Sequence, residues 1–277
     1  MVLEIINLCK KNYFNNLQLN VDEKEIVNII SADKTKLDVF CKTILNLVSY
    51  DGSINLFNHS TKKESLKALK FIGYTSTLKY KSNQKIIDYL KLTSKFYDVN
   101  YTDNILSLLK EFELEESKKM EDLNDYERDS LTFIKAVLHN PKLVIINGLL
   151  NNCSSKCKTI IKDIIVKMKS EGTSFIITSD HLALDICTDI YLLDESLRDF
   201  NNLNNMYKIE IPNIKDFNIK ELKQTPLNLN INNEVISFIV TKDFNETLKY
   251  LASLRPAFIN IQRPYIGEIF NEALPTL

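Results

Sequence analysis

Glycine is scarce in this 277-residue chain. There are five, where average usage of about 7% would supply about 19. Functions built on glycine-rich loops that wrap a phosphate are therefore short of material. Tryptophan is absent and the three histidines, His59, His139 and His181, are scattered, so no imidazole cluster offers itself to a metal. No apolar run approaches the roughly 18 residues that span a bilayer. The start, Val2-Leu3-Glu4-Ile5-Ile6, has no basic n-region or cleavage site, so no secretory leader is expected. The five cysteines (Cys9, Cys41, Cys153, Cys157, Cys187) are odd in number and read as reduced, partly buried small hydrophobes of an intracellular protein. Neither charge sign is in excess: Lys+Arg total 35 and Asp+Glu 36, a formal charge of −1. A dedicated nucleic-acid binder would be strongly basic, so no nucleic-acid partner is expected.

What is present is an ordinary globular composition, 44% hydrophobic and 26% charged. Over the first two hundred residues short apolar runs alternate with helical patterns. Ile26–Ile30, Phe71–Tyr74, Leu143–Ile146, Phe175–Thr178 and Ile190–Leu193 read as strands covered on both faces, hence a mostly parallel central sheet. Between them lie apolar helical stripes: Phe40, Ile44, Leu45 and Val48; Leu131, Ile134, Val137 and Leu138; Ile160, Ile161, Ile164, Ile165 and Met168. Ser154 or Ser155 can cap the last of these helices, and Gly172 sits at its C′ position. Strand–helix alternation of this kind is α/β architecture.

A polar stretch, Asn201 to Asn205, is a candidate linker. Beyond it the pattern predicts a strand (207–211), a helix (214–223), and two strands (227–231, 234–240) joined by Asn232-Asn233 in positive-φ turn geometry. A helix capped by Asp243 and Glu246, a strand (257–262) and a closing helix (266–274) follow. This is the βαββαβ order of a small α+β, ferredoxin-like subdomain over residues 206–277.

The ordered phrases Ile26–Ile30, Ser31–Phe40, Phe71–Tyr74, Leu123–Leu131, His139–Ile146, Lys169–Thr173, Ser179-Asp180-His181 and Ile190–Asp194 resemble the ATP-binding subunit of an ABC transporter. The resemblance is to the exporter type with a small C-terminal subdomain, and it spans nearly the whole chain. It implies a P-loop NTPase-like domain over residues 1–200, with a helical insert near residues 80–125.

The framework matches and the chemical motifs do not. In the family's phosphate loop, Gly-x-x-Gly-x-Gly-Lys-Ser/Thr, glycines bring backbone N–H groups onto phosphate, Lys bridges the β- and γ-phosphates, and the hydroxyl binds Mg²⁺. The glycine positions fall here on Ser31, Lys34 and Lys36, the lysine on Leu37 and the hydroxyl on Asp38. The magnesium Asp and catalytic Glu fall on Asn147 and Gly148, the magnesium-sensing Gln on Thr77 and the switch His on Asp180. The signature loop reads Leu123-Asn124-Asp125-Tyr126-Glu127, and the dimer-loop Asp falls on Ser154. Only the adenine-stacking aromatic has an heir, Tyr13 or Phe14.

The resemblance thus implies a fold kept without its chemistry. The expected function is a non-catalytic cassette subunit of an ABC exporter complex, held at the inner face of the cell membrane by a permease subunit and an ATPase subunit, as a hetero- or homodimer. No cofactor is expected, with ATP and Mg²⁺ entering only through residual binding. Two alternatives stand beside it: a weakly active ATPase using Lys34 or Lys36 in an altered register, and a soluble regulatory protein that has left transport.

Other constellations yield to plainer readings. Ser179-Asp180-His181 cannot align as a triad, because neighbours in an extended segment point opposite ways. Cys153 and Cys157 have the spacing of one helix face but lack the second ligand pair of a zinc site. Lys34, Lys36, Lys79, Lys81 and Lys85 alternate with acids and read as a solvated face. The stretch Thr77 to Tyr97 reads equally as helical core or, by the resemblance, as the surface that packs on the membrane subunit.

Overall fold

Strands of continuous Ile, Val and Leu need cover on both faces, and the computed structural model shows how this chain supplies it. The structure describes residues 1–75, 83–97, 102–180, 183–199, 206–223, 226–240, 243–262 and 264. Thr77, Lys79, Lys81, His181, the linker 201–205 and the expected helix 266–274 lie outside them. The chain divides into two compact units, Met1–Asp199 and Phe200–Leu277.

In the first unit, β1 (Leu3–Lys10), β2 (Phe14–Val21), β4 (Asp51–Leu56) and β5 (His59–Ser60) form an antiparallel sheet in the order β2-β1-β4-β5. The second sheet comprises β3 (Ile26–Ile30), β6 (Ile72–Thr75), β7 (Leu143–Asn147), β8 (Ser174–Ser179), β9 (Asp189–Leu193) and β10 (Leu197–Asp199). Its order is β10-β9-β3-β8-β7-β6, parallel except for the edge strand β10.

Period-two alternation sorts the central strands between two cores. Val27, Ile29, Leu143, Ile145 and Ile176 point toward Leu37, Phe40, Cys41 and Ile44 of α1 (Lys34–Ile44) and the inner face of the antiparallel sheet. Ile26, Val144, Ile146, Phe175 and Ile177 face the helical side. There lie α3 (Ile86–Lys95), α4 (Thr102–Glu111), α5 (Asp125–Val137) and α7 (Ser155–Ser170). The short α2 (Thr61–Leu69) and α6 (Leu149–Asn152) complete the unit.

Some expectations change. α1 ends at Ile44, so Val48 lies beyond the helix. Ser154 is the N-cap of α7, its hydroxyl accepting from the Cys157 N–H at 3.2 Å. Cys153 therefore precedes that helix and does not share a helix face with Cys157. His139 is 6% exposed and stacks on Tyr97 with ring centroids 3.7 Å apart.

The second unit is a four-stranded antiparallel sheet of β11 (Tyr207–Pro212), β12 (Leu227–Ile231), β13 (Val235–Val240) and β14 (Asn260–Gln262), in the order β12-β13-β11-β14. α8 (Phe244–Ser253) buries Leu251 against Ile209, Ile236 and Phe238. The strand order is the ferredoxin-like one, but the helix expected at 214–223 is reduced to a 3₁₀ turn at Ile219–Glu221, capped by Asn218. The Asn232-Asn233 turn does not use positive φ. Instead the Asn232 side chain accepts from the Glu234 and Val235 N–H groups at 3.0 and 2.7 Å, an Asx turn. Asp243 is itself left-handed, φ 47°, and its side chain makes no cap, so the expected capping box is absent there.

Candidate functional site: the start of α1 and the end of β7

The loop after β3 is an N-cap, not a cradle. The Asp33 carboxylate accepts from the N–H groups of Thr35 and Lys36 at 2.9 and 3.1 Å. A helix start is where backbone N–H groups and the macrodipole favour an anion, and here the chain supplies its own. Leu37, at the position implied for the phosphate-binding lysine, is 2% exposed and packs in the core with Phe40. Lys34 reaches Asp180 at 3.3 Å. Lys36 instead lines a separate hollow with Tyr13, Lys10, Asp51 and Glu195. Of the two candidate aromatics Phe14 is core, 4% exposed and edge-on to Phe40, which leaves Tyr13.

At the end of β7, Asn147 is held from four sides. Its backbone N–H donates to Thr75 Oγ1 at 2.8 Å and its Oδ1 accepts from Thr178 Oγ1 at 2.9 Å. Its Nδ2 donates to Asp38 Oδ1 at 3.2 Å and to the Tyr74 hydroxyl at 3.1 Å. Asp38 is also paired with Lys42 at 2.6 Å. Burial pushes the Tyr74 hydroxyl up to about 12, so at neutral pH it is uncharged and can accept from the amide. Gly148 follows at φ +65°, and a Cβ there would meet nothing within 4 Å. Backbone conformation, not lack of space, favours glycine at that position.

In the segment 123–127, four of the five side chains are committed to local structure. Leu123 is 4% exposed core. Asn124 and Glu127 form the capping box of α5, with Glu127 also bound by Lys118 at 2.6 Å. The Tyr126 hydroxyl donates to the Phe112 carbonyl at 3.0 Å. Asp125 is the fifth, its side chain 99% accessible and 3.6 Å from Arg128.

A cleft of about 650 Å³ brings Lys34, Leu37, Asp38, Asn147 and Gly148 opposite Asp125, Arg128 and Asp129 of α5. Burial, then the neighbouring Asp125, holds the Asp129 carboxyl above its ordinary value. Tyr13 and Lys36 are not among the residues lining this cleft. The residues present do not fit a magnesium–triphosphate group. The helix-start N–H groups already hold a carboxylate, an amide donor stands against Asp38, and no lysine projects from position 37. Among the described residues no three His, Cys, Asp or Glu side chains group as metal ligands.

Sequence reasoning missed Asp33, Tyr74, Lys42 and Thr178, of which only Asp33 carried a signal: an Asp directly before a helical run. Asn147→Asp tests the network. It removes the amide donor and sets a carboxylate beside Asp38. A loss of about 2 kcal/mol is expected in urea melts at pH 7. The like-charge pair raises one folded-state carboxyl pKa, so the loss should shrink as pH falls through that value. Equal stability of the two proteins at pH 7 would show that the Asp38–Asn147 contact carries no weight.

No family model matches the chain. It is 21% identical to the uncharacterized ABC transporter ATP-binding protein YhaQ of Bacillus subtilis (strain 168) over 189 residues, 65% of this chain. The match spans 63% of that relative's own length, just under two thirds. It is also 21% identical over 268 residues to the ABC transporter ATP-binding protein YtrB of the same organism, covering 92% of this chain and 90% of the relative. Among solved structures it is similar to an ATP-binding subunit of an ABC transporter, with a TM-score of 0.67 and 17% identity over 74% of this chain and 92% of that one. A dimeric ATP-binding cassette in a post-hydrolysis state with ADP and phosphate gives a TM-score of 0.63 and 17% identity over 71% and 97%. The chain is thus a relative of the ABC transporter ATP-binding proteins and has the fold of an ABC ATPase cassette.

Proposed function

We propose that this chain is a non-catalytic cassette subunit of an ABC transport complex, docking on a membrane permease and pairing with an ATPase subunit. The observation that carries the reading is the Asp33 carboxylate on the N–H groups of Thr35 and Lys36. That internal anion stands where the family's phosphates would be held. The Asp38–Asn147 hydrogen bond supports it, since an amide hydrogen faces the carboxylate that a cation would need.

Attachment to a membrane is assigned to partners, because among the described residues no helix is long and apolar enough to cross one. The helical insert presents Leu92 of α3 and Phe96, the residue that caps its C-terminal end, at 51% and 79% exposure. Large apolar side chains exposed together are what a protein partner covers. Affinity purification of the full chain from native membranes should bring down one permease and one ATPase. The double substitution Leu92→Ser, Phe96→Ser should reduce recovery of the permease about tenfold or more while leaving the melting temperature within a few degrees. Recovery of neither partner from membranes would reject the reading. Equal recovery by the variant would reject α3 as the contact.

A further inference from the structure

Asn147 and Gly148 are the chain's one Asn-Gly pair, and both line the cleft, where water can reach them. Asparagine followed by glycine is the pair most prone to cyclise, because glycine puts no Cβ in the path of its own nitrogen. In that reaction the Gly148 nitrogen would attack Asn147 Cγ. The structure engages every group that would take part.

The attacking nitrogen is occupied: the Gly148 N–H donates to the Thr178 carbonyl at 3.0 Å. The carbon it would reach is held by both ends of its amide. Oδ1 accepts from Thr178 Oγ1 at 2.9 Å. Nδ2 donates to Asp38 Oδ1 at 3.2 Å and to the Tyr74 hydroxyl at 3.1 Å. Behind them the Asn147 N–H donates to Thr75 Oγ1 at 2.8 Å, and Asn147 lies in parallel register with Thr178. To cyclise, the side chain must turn back onto its own backbone while the Gly148 N–H leaves the Thr178 carbonyl. These bonds must open together for that to happen.

We propose that Asn147 is a guarded modification site: contacts to Thr178, Asp38 and Tyr74 keep it an amide, and it deamidates through Gly148 when they open. The Gly148 nitrogen bonds to Asn147 Cγ, and the Cγ–Nδ2 bond breaks. The Gly148 proton goes to the departing nitrogen, which leaves as ammonia, and a cyclic succinimide remains. Water then opens the ring. Cleavage of the new N–Cγ bond gives aspartate. Cleavage of the original peptide C–N bond gives isoaspartate, with the chain running through Cγ. One water is consumed, one ammonia is released, and no atom is oxidised or reduced.

Aspartate at this position replaces the amide that faces Asp38 with a like charge. Isoaspartate also adds a methylene to the backbone between β7 and α6, just where β7 pairs with β8. A transient opening of the network thus leaves a permanent mark on the cleft wall.

The test incubates the full chain in mildly alkaline buffer, native and in guanidinium, and maps it by mass spectrometry. Trypsin yields the peptide 143–156, whose fragment ions separate Asn147 from Asn151 and Asn152. An isoaspartyl methyltransferase reports the isoaspartate. Deamidation at Asn147 is expected to be at least about tenfold slower in the native chain than in the unfolded one. Thr178→Val keeps the shape and drops the hydroxyl, and should raise the native rate about threefold or more. Tyr74→Phe serves the same purpose if the valine variant does not fold. Equal rates in the native and unfolded wild-type chain would overturn the proposal, as would an Asn147 that stays an amide in guanidinium. So would a folded variant that deamidates no faster than wild type, since the guard would then lie elsewhere. The native-to-unfolded ratio decides even if both variants fail to fold.

Discussion

Titrated with magnesium and ATP, the isolated chain is expected to show no saturable, magnesium-dependent heat below millimolar nucleotide. Two missing contacts account for most of this. Leu37 offers no ammonium to the phosphates, and Asn147 offers magnesium a neutral carbonyl already engaged by Thr178. Charge-assisted hydrogen bonds are worth about 1.5–3 kcal/mol each, so losing two weakens binding by about two to four decades. The Asp33 carboxylate adds a competitor at the helix start and would repel an incoming phosphate. Calorimetry giving a micromolar, magnesium-dependent isotherm would overturn this, and with it the non-catalytic reading.

Stability is expected to fall steeply between pH 7.5 and pH 5, and His139 is the cause. Burial holds its imidazole down to about 4, with a smaller opposing hydrogen bond at the Ile72 backbone. In the unfolded chain the same group titrates near 6.5. Between those values the unfolded state binds the extra proton, so stability rises with pH across the window and is lost on acidification. The loss is about 2 kcal/mol by pH 5 and about 3 kcal/mol below pH 4. The carboxylates held low by lysine neighbours, such as Glu64 and Glu246, act mainly below that window. Urea melts followed by circular dichroism, since the chain has no tryptophan, should show the slope. His139→Phe, which keeps a ring against Tyr97, should flatten it. A wild-type stability unchanged between pH 7.5 and pH 5 would mean that the charged imidazole finds a partner or reaches water.

The central sheet was legible because its strands are continuous apolar runs, and α7 because it carries both a serine cap and a glycine stop. The N-terminal antiparallel sheet was not. Its alternation is broken where the β1–β2 register shifts, with Asn7, Asn12 and Asn16 all at positive φ. The helix expected at 214–223 had acceptable composition, yet Asn218 caps a single 3₁₀ turn and no residue within that turn is buried. At the site the resemblance directed attention to positions where chemistry was missing. What the structure places there lies in side chains that look unremarkable in a string: an aspartate before a helix, a tyrosine inside a strand, a threonine two strands away. The meeting of that tyrosine and that threonine at Asn147 depends on the parallel register of β6, β7 and β8, which no local pattern reveals.

The cap at Asp33 also bears on what a nucleotide site here would require. Removing the carboxylate to admit a phosphate would first cost a helix cap, about 1 kcal/mol. A lysine at position 37 would first have to carry its charge into a site 2% exposed, and a side chain at Gly148 would first have to adopt a left-handed backbone. Each such change would lower stability before any affinity for nucleotide is gained, and no single one of them completes a site. On the non-catalytic reading proposed above, a nucleotide site at this loop would therefore need several changes at once.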